Sequence, residues 1–152
     1  MQGGLTNVQR RFVDELGQLY ARYGLALSFG RVFGLLLVSD EPVSLDEIAV
    51  KLSMSKTSAS VTARELERAG VARRLGMAGT RRILYEAGDE MDPVLSAMFA
   101  RIRASLDILR RAEPALASGR AQERLRTMKE LHEFWLREAD GIMERWRGSR
   151  VT

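Results

Sequence analysis

Apolar positions return every three or four residues along most of the chain, and each change in that rhythm marks a new element. Phe12, Val13, Leu16, Leu19, Tyr20 and Tyr23 share one side of a helix that ends near Gly24. The first dozen residues are polar and glycine-containing and read as a frayed start. Ser28 then stands where a helix cap is expected, ahead of Val32, Phe33, Leu35, Leu36 and Leu37. A helix apolar on so many sides belongs in a core. Asp40, Glu41 and Pro42 supply the turn that stops it.

The rhythm breaks most abruptly in "SLDEIAVKLSMSKTSASVTARELERAG", residues 44 to 70. Ser44 and Glu47 form a capping box, in which the serine oxygen accepts from the Glu47 amide and the glutamate reaches back. Ile48, Ala49 and Leu52 give this short helix its buried stripe. Only Ser53, Met54 and Ser55 separate it from the next helix, which Ser55 caps and Gly70 ends. Small Ala59 and Ala63 let the two helices approach around Ile48, Leu52, Met54 and Leu66, so that Lys56, Thr57, Ser60, Val61 and Arg64 point outward. After Gly70 the period shortens. Val71 to Leu75 and Arg82 to Tyr85, rich in branched and aromatic residues, flank "GMAGT" and predict a β-hairpin with basic residues at its tip and sides.

Asp92 and Pro93 are a cap followed by proline at the first helical position. Leu95, Met98, Phe99, Ile102, Leu106 and Leu109 line that helix until Pro114 interrupts it. A loop around Ser118 and Gly119 leads into a last helix running to about Trp146. Its seam of Leu125, Met128, His132, Trp135, Ala139, Ile142 and Trp146 alternates steps of three and four, the a/d pattern of a helix pressed along another helix. Leu131, Leu136 and Met143 widen the seam beyond what a small domain covers, so a second copy is expected to cover it. The predicted fold class is therefore mainly α with a small β-hairpin wing. The expected segments are an N-terminal helix (1–27), a winged helix-turn-helix domain (28–90) and a C-terminal helical dimerisation region (91–152).

A chain of 152 residues suits one domain, or one small domain with a helical extension. The longest strongly apolar run, Val32 to Val38, is too short for a bilayer, and no secretory signal is visible. A cytoplasmic protein without a membrane partner is expected. Charge alters the reading more. Between Lys51 and Arg82 lie Lys51, Lys56, Arg64, Arg68, Arg73, Arg74, Arg81 and Arg82 against only Glu65 and Glu67, a net +6 in a chain whose total is +4. A basic field concentrated beside a neutral body suits a polyanion.

Order and charge together point to DNA. A helix entering the major groove needs a bracing helix, a short turn that sets its angle, and small polar side chains facing the bases. Lys56 and Arg64 suit phosphates or guanine, Thr57 and Ser60 suit phosphates or base edges, and Val61 suits a thymine methyl. Ser44 and Ser55 begin helices, whose N-termini attract phosphate. Arg81 and Arg82 lie near the wing tip, placed for an adjacent minor groove. The competing reading is a winged-helix interaction module whose basic surface meets an acidic protein.

Catalysis has little support. The chain contains no cysteine and a single histidine, which excludes a Cys/His dyad. No acidic cluster accompanies His132 to hold a metal, and Gly76 and Gly79 lack the spacing of a phosphate loop. No cofactor is expected. His132 and Trp135 are candidates for a small-molecule effector site, since an aromatic face can hold a quaternary ammonium group. Core packing is the more ordinary role for both.

The run from Gly30 to Gly88 resembles the DNA-binding part of the GbsR branch of MarR-type transcriptional regulators. The resemblance rests on Gly30-Arg31 and Gly34-Leu35, "SDEP" followed by "SLDEIA", "MSK" opening the second helix, "RELE", and a wing ending "YEA". It implies a homodimer built on N- and C-terminal helices, with two recognition helices reading a pseudo-palindrome about one DNA turn apart, roughly 34 Å. Lys56, Thr57, Ser60, Val61 and Arg64 match recognition-helix positions, and Arg81 matches the wing arginine. Thr80 stands where the family often has an aspartate that orients that arginine. Ala59 and Thr62 are smaller than usual, which implies looser packing of the recognition helix.

Overall fold

The computed structural model describes residues 3–88, 93–116 and 118–150. The described chain separates into two compact units, Met1–Val94 and Leu95–Thr152. In the first, helix α1 (Asn7–Arg22) begins earlier than its apolar pattern suggests. Thr6 caps it by accepting from the Gln9 amide, while the Gln9 side chain accepts from the Thr6 amide in return. That reciprocal box, reinforced by Gln9 donating to the Val38 carbonyl at 3.2 Å, replaces the expected frayed start with an ordered one.

Helix α2 (Leu27–Leu37) also corrects the expected cap. Ala26 holds the cap position with no side-chain bond, and Ser28 lies inside the helix, where its hydroxyl accepts from Thr62 at 3.4 Å. Val32 and Leu35 are fully buried and Phe33 stacks with Tyr20 of α1, 6.2 Å between ring centroids. Helices α1 and α2 cross at glycine. A Cβ on Gly30 would lie 2.7 Å from the Gly17 Cα, and one on Gly17 would lie 2.6 Å from the Arg31 Cγ. The backbones touch because neither position carries a side chain.

Strand β1 (Val43–Ser44) leads directly into α3 (Leu45–Leu52), and α4 (Lys56–Arg68) follows after the three-residue break. Ser53 ends α3 in the left-handed conformation, with φ 52°, and its amide closes onto Ala49 and Val50. Ser55 caps α4 by accepting from the Ser58 amide. Strands β2 (Ala72–Gly76) and β3 (Ile83–Ala87) make the hairpin one residue or so further along than the sequence suggests. A strand missing from the sequence reading joins them: β1 pairs antiparallel with β3, Val43 opposite Tyr85 and Ser44 opposite Leu84, giving the order β1-β3-β2.

Ile48, Leu52, Ala59, Ala63, Leu66, Val71 and Tyr85 join α2 in one core. Ala59 is fully buried and Thr62 is 3% exposed, so the small side chains on α4 give close packing, not the looseness the resemblance implies.

The second unit contains α5 (Pro93–Ala112), a tight 3-10 turn (Glu113–Ala115) and α6 (Arg120–Ser149), which extends past Trp146. The expected Asp92 cap lies outside the described residues. Arg110 pairs with Glu133 at 3.2 Å and Glu113 with Lys129 at 2.9 Å, an order that makes α5 and α6 an antiparallel hairpin. Leu106, Leu109 and Ala139 are buried. Met128, Trp135, Ile142 and Trp146, four of the seven seam residues read from the sequence, are about half exposed in the single chain.

Candidate nucleic-acid interface

Helix α4 is divided lengthwise. Ala59, Thr62, Ala63 and Leu66 face the core, while Lys56, Thr57, Val61 and Arg64 are exposed and Ser60 is half-buried between them. The division follows from helical geometry, since residues three and four apart share a face. Exposed Ser58 lies on the first turn of the same helix, a polar neighbour that the sequence reading did not single out. Its hydroxyl accepts from Ser55, and that cap bond is the signal that identifies it.

The basic groups are not equivalent. Arg64 donates to the Ser60 carbonyl at 3.3 Å and the Ser60 hydroxyl at 3.2 Å, which holds the guanidinium along the exposed face. Lys56 pairs with Asp46 of α3 at 2.9 Å, but both side chains are largely exposed. Such a pair contributes little to stability and exchanges readily for another anion. Arg73 faces Glu86 across the hairpin at 3.0 Å, so part of the basic field is compensated locally.

At the wing tip Thr80 donates to the Met77 carbonyl and accepts from the Arg82 amide, which fixes the turn that carries exposed Arg81. Arg82 points elsewhere. Its guanidinium returns to the start of α3, 3.4 Å from the Ser44 hydroxyl and 3.6 Å from the Glu47 carboxylate. Ser44 is itself buried, with its amide 2.8 Å and its hydroxyl 2.7 Å from Glu47. Ser44, Glu47 and Arg82 thus form one polar joint between wing and brace, whereas Ser55 is exposed at the start of α4.

Burial pushes the Glu47 carboxyl up, but the hydrogen bonds from Ser44, with Lys51 and Arg82 nearby, outweigh it and hold the group below its usual 4.5. A carboxylate whose pKa is lower folded than unfolded stabilises the fold above the unfolded value and loses that contribution as pH falls through the folded one. Thermal melts should therefore show wild type losing more stability than Glu47→Gln as pH drops from 6 through about 4 and below. Parallel acid profiles would show that the joint carries no proton-linked stability.

His132 and Trp135, the effector candidates, lie on α6. The His132 Nδ1 is 2.8 Å from the Met128 carbonyl one turn earlier, and Trp135 is 53% exposed. An open groove of ≈ 580 Å³ lies along Arg120, Glu123, Arg124, Thr127, Met128 and Leu131, and neither candidate lines it. Among the described residues no group of three or more acidic or histidine side chains is arranged to hold a metal, and no helix is long and apolar enough to cross a membrane.

A brace helix, a three-residue break, a second helix with a polar outer face and a basic three-stranded wing define a winged helix-turn-helix protein. No family model matches the chain. It is 32% identical over 126 residues to the HTH-type transcriptional regulator MmpR5 of Mycobacterium tuberculosis, an alignment covering 79% of this chain and 75% of that one. It is 24% identical over 96 residues to the HTH-type transcriptional repressor OpcR of Bacillus subtilis, covering 63% of this chain and 52% of the repressor. The chain spans about half the length of this and a second Bacillus subtilis relative. A crystal structure of a transcriptional regulator superposes with a TM-score of 0.75 at 28% identity, covering 93% of this chain and 99% of that one. The chain belongs to the helix-turn-helix transcriptional regulators, which are not enzymes.

Proposed function

We propose that this chain is a homodimeric repressor that binds a pseudo-palindromic operator through α4 and the wing. The observation that carries this reading is the division of α4, whose buried side is Ala59, Thr62, Ala63 and Leu66 and whose outer side offers Lys56, Thr57, Ser60, Val61 and Arg64. In this reading Lys56 and Arg64 contact phosphates or guanine, Thr57, Ser60 and Val61 read base edges, and Ser55 presents the α4 N-terminus to a phosphate. Arg81 supplies the wing contact. Ser44 and Arg82 act from behind, by holding the wing to the brace. The motif set quoted above supports a place in the GbsR branch, and OpcR, a repressor by name, supports the sign of regulation.

Dimerisation is supported by apolar surface left open in the single chain. Val8, Phe12 and Leu19 form an exposed stripe on α1, and Met128, Trp135, Ile142 and Trp146 form another on α6. Surfaces of this kind are ordinarily covered by a partner.

Fluorescence anisotropy with the duplex upstream of the chain's own gene, against a scrambled duplex across a salt series, tests the reading. Each phosphate neutralised steepens the log–log salt dependence by about 0.9. If Lys56 and Arg81 of both protomers reach phosphates, the slope is about −4, with saturation at two chains per duplex. Equal, weak binding to both duplexes would argue against sequence-specific regulation through that operator. No binding at low salt would favour a winged-helix module for an acidic protein.

A further inference from the structure

The three residues between α3 and α4 set the angle at which α4 is presented, and one side chain from outside the helix pair holds the edge of that break. Arg31 leaves α2 with its aliphatic stem lying over Gly17 of α1, where any Cβ would meet the Arg31 Cγ at 2.6 Å. The guanidinium then divides its donors. Its Nε is 3.1 Å from the Asp14 carboxylate on α1, and Nη1 is 3.3 Å from the Leu52 carbonyl, the last residue of α3. That carbonyl is among those a helix leaves without a partner at its C-terminus, and a cation there also suits the helix dipole. The following residue, Ser53, holds the left-handed conformation that ends α3.

We propose that Arg31 is a positioning residue for DNA recognition. It ties α1 through Asp14 to the end of the brace helix and so fixes the turn that aims α4. Three features converge on this role: the space left by Gly17, the acidic anchor at Asp14 and the open carbonyl of Leu52. The Arg31 side chain is 29% exposed and Asp14 47%, so the pair is no deep core ion pair whose loss alone unfolds the protein. The bond to Leu52 does what a surface pair cannot, because it acts on the backbone at the break.

The proposal rests on the DNA-binding reading, and its test separates the two. In the free full-length protein, amide hydrogen exchange at Ser53 and Met54 is compared between wild type and Arg31→Met, which keeps the stem over Gly17 and removes the guanidinium. Exchange is expected to quicken about tenfold at these amides while those of α2 are unchanged. The preference for the upstream duplex over the scrambled one should fall by a similar factor, with the weak affinity for scrambled duplex retained. Arg31→Lys should recover part of both losses, since an ammonium can hold one partner but not both. Unchanged exchange at the turn, or an unchanged duplex preference in a folded variant, overturns the proposal. Wild type that prefers neither duplex would remove the DNA reading, and the exchange comparison would still decide whether Arg31 holds the turn.

Discussion

Gly30→Ala should lower the stability of the winged unit by about 2 kcal/mol, where the same change in an open helix raises it by about 1 kcal/mol. The sign is the informative part. A Cβ on Gly30 would lie 2.7 Å from the Gly17 Cα and 3.0 Å from the Leu16 carbonyl oxygen, both backbone atoms of α1. No rotamer change relieves such a contact, so α1 and α2 must separate and forfeit packing around Val13, Tyr20 and Phe33. Gly141 of α6 is the control, because a Cβ there would meet only the end of Arg145 at 3.6 Å. Gly141→Ala should therefore stabilise. Urea denaturation of both variants measures the difference, and a stabilised Gly30→Ala would show that the helices do not cross as closely as described.

Arg64→Ala should weaken operator binding by about 10- to 100-fold and binding to a scrambled duplex far less. Among the described residues Arg64 bonds only to Ser60 on its own helix, so its removal costs the core nothing, and the circular dichroism spectrum and melting temperature should hold. Arg81→Ala makes the instructive comparison. An arginine at a wing tip that acts mainly through phosphate should lower affinity for both duplexes and flatten the salt dependence. If Arg64→Ala instead weakens the two duplexes equally, α4 contributes charge and not base reading.

The helix-turn-helix was legible because its determinants are local. Ser44 with Glu47 and Ser55 with the amide of Ser58 are caps closed within four residues, and Ala59 and Ala63 mark a close approach by their size alone. The ordered start of α1 was equally local, since Thr6 and Gln9 carry the capping-box spacing, but Gly3 and Gly4 before it drew the reading toward a frayed end. Ser28 misled for the opposite reason. A serine before an apolar run has the form of a cap, yet its partner is Thr62 on a helix far along the chain. Strand β1 was beyond reach because two residues are shorter than any period, and Ser44 serves as both strand and cap. At the candidate interface the residue types were legible and their directions only partly so. Arg81 and Arg82 are neighbours in sequence, and it is the fold that turns Arg82 back onto Ser44 and Glu47.

The pairing of β1 with β3 gives the wing a mechanical character that a two-stranded hairpin lacks. Its base is sewn to the start of α3 at Val43 and Ser44, and Arg82 adds a rivet just above the seam. Beyond that only the tip around Met77 to Arg81 overhangs, a short cantilever on a stiff mount. A finger so mounted surrenders little freedom when it meets a groove, so the entropy lost on binding is confined to a few side chains. It also cannot bend far to follow a groove of the wrong width. If the wing enters a groove as proposed, selection among DNA shapes follows from stiffness, exerted by a part of the molecule that reads no bases.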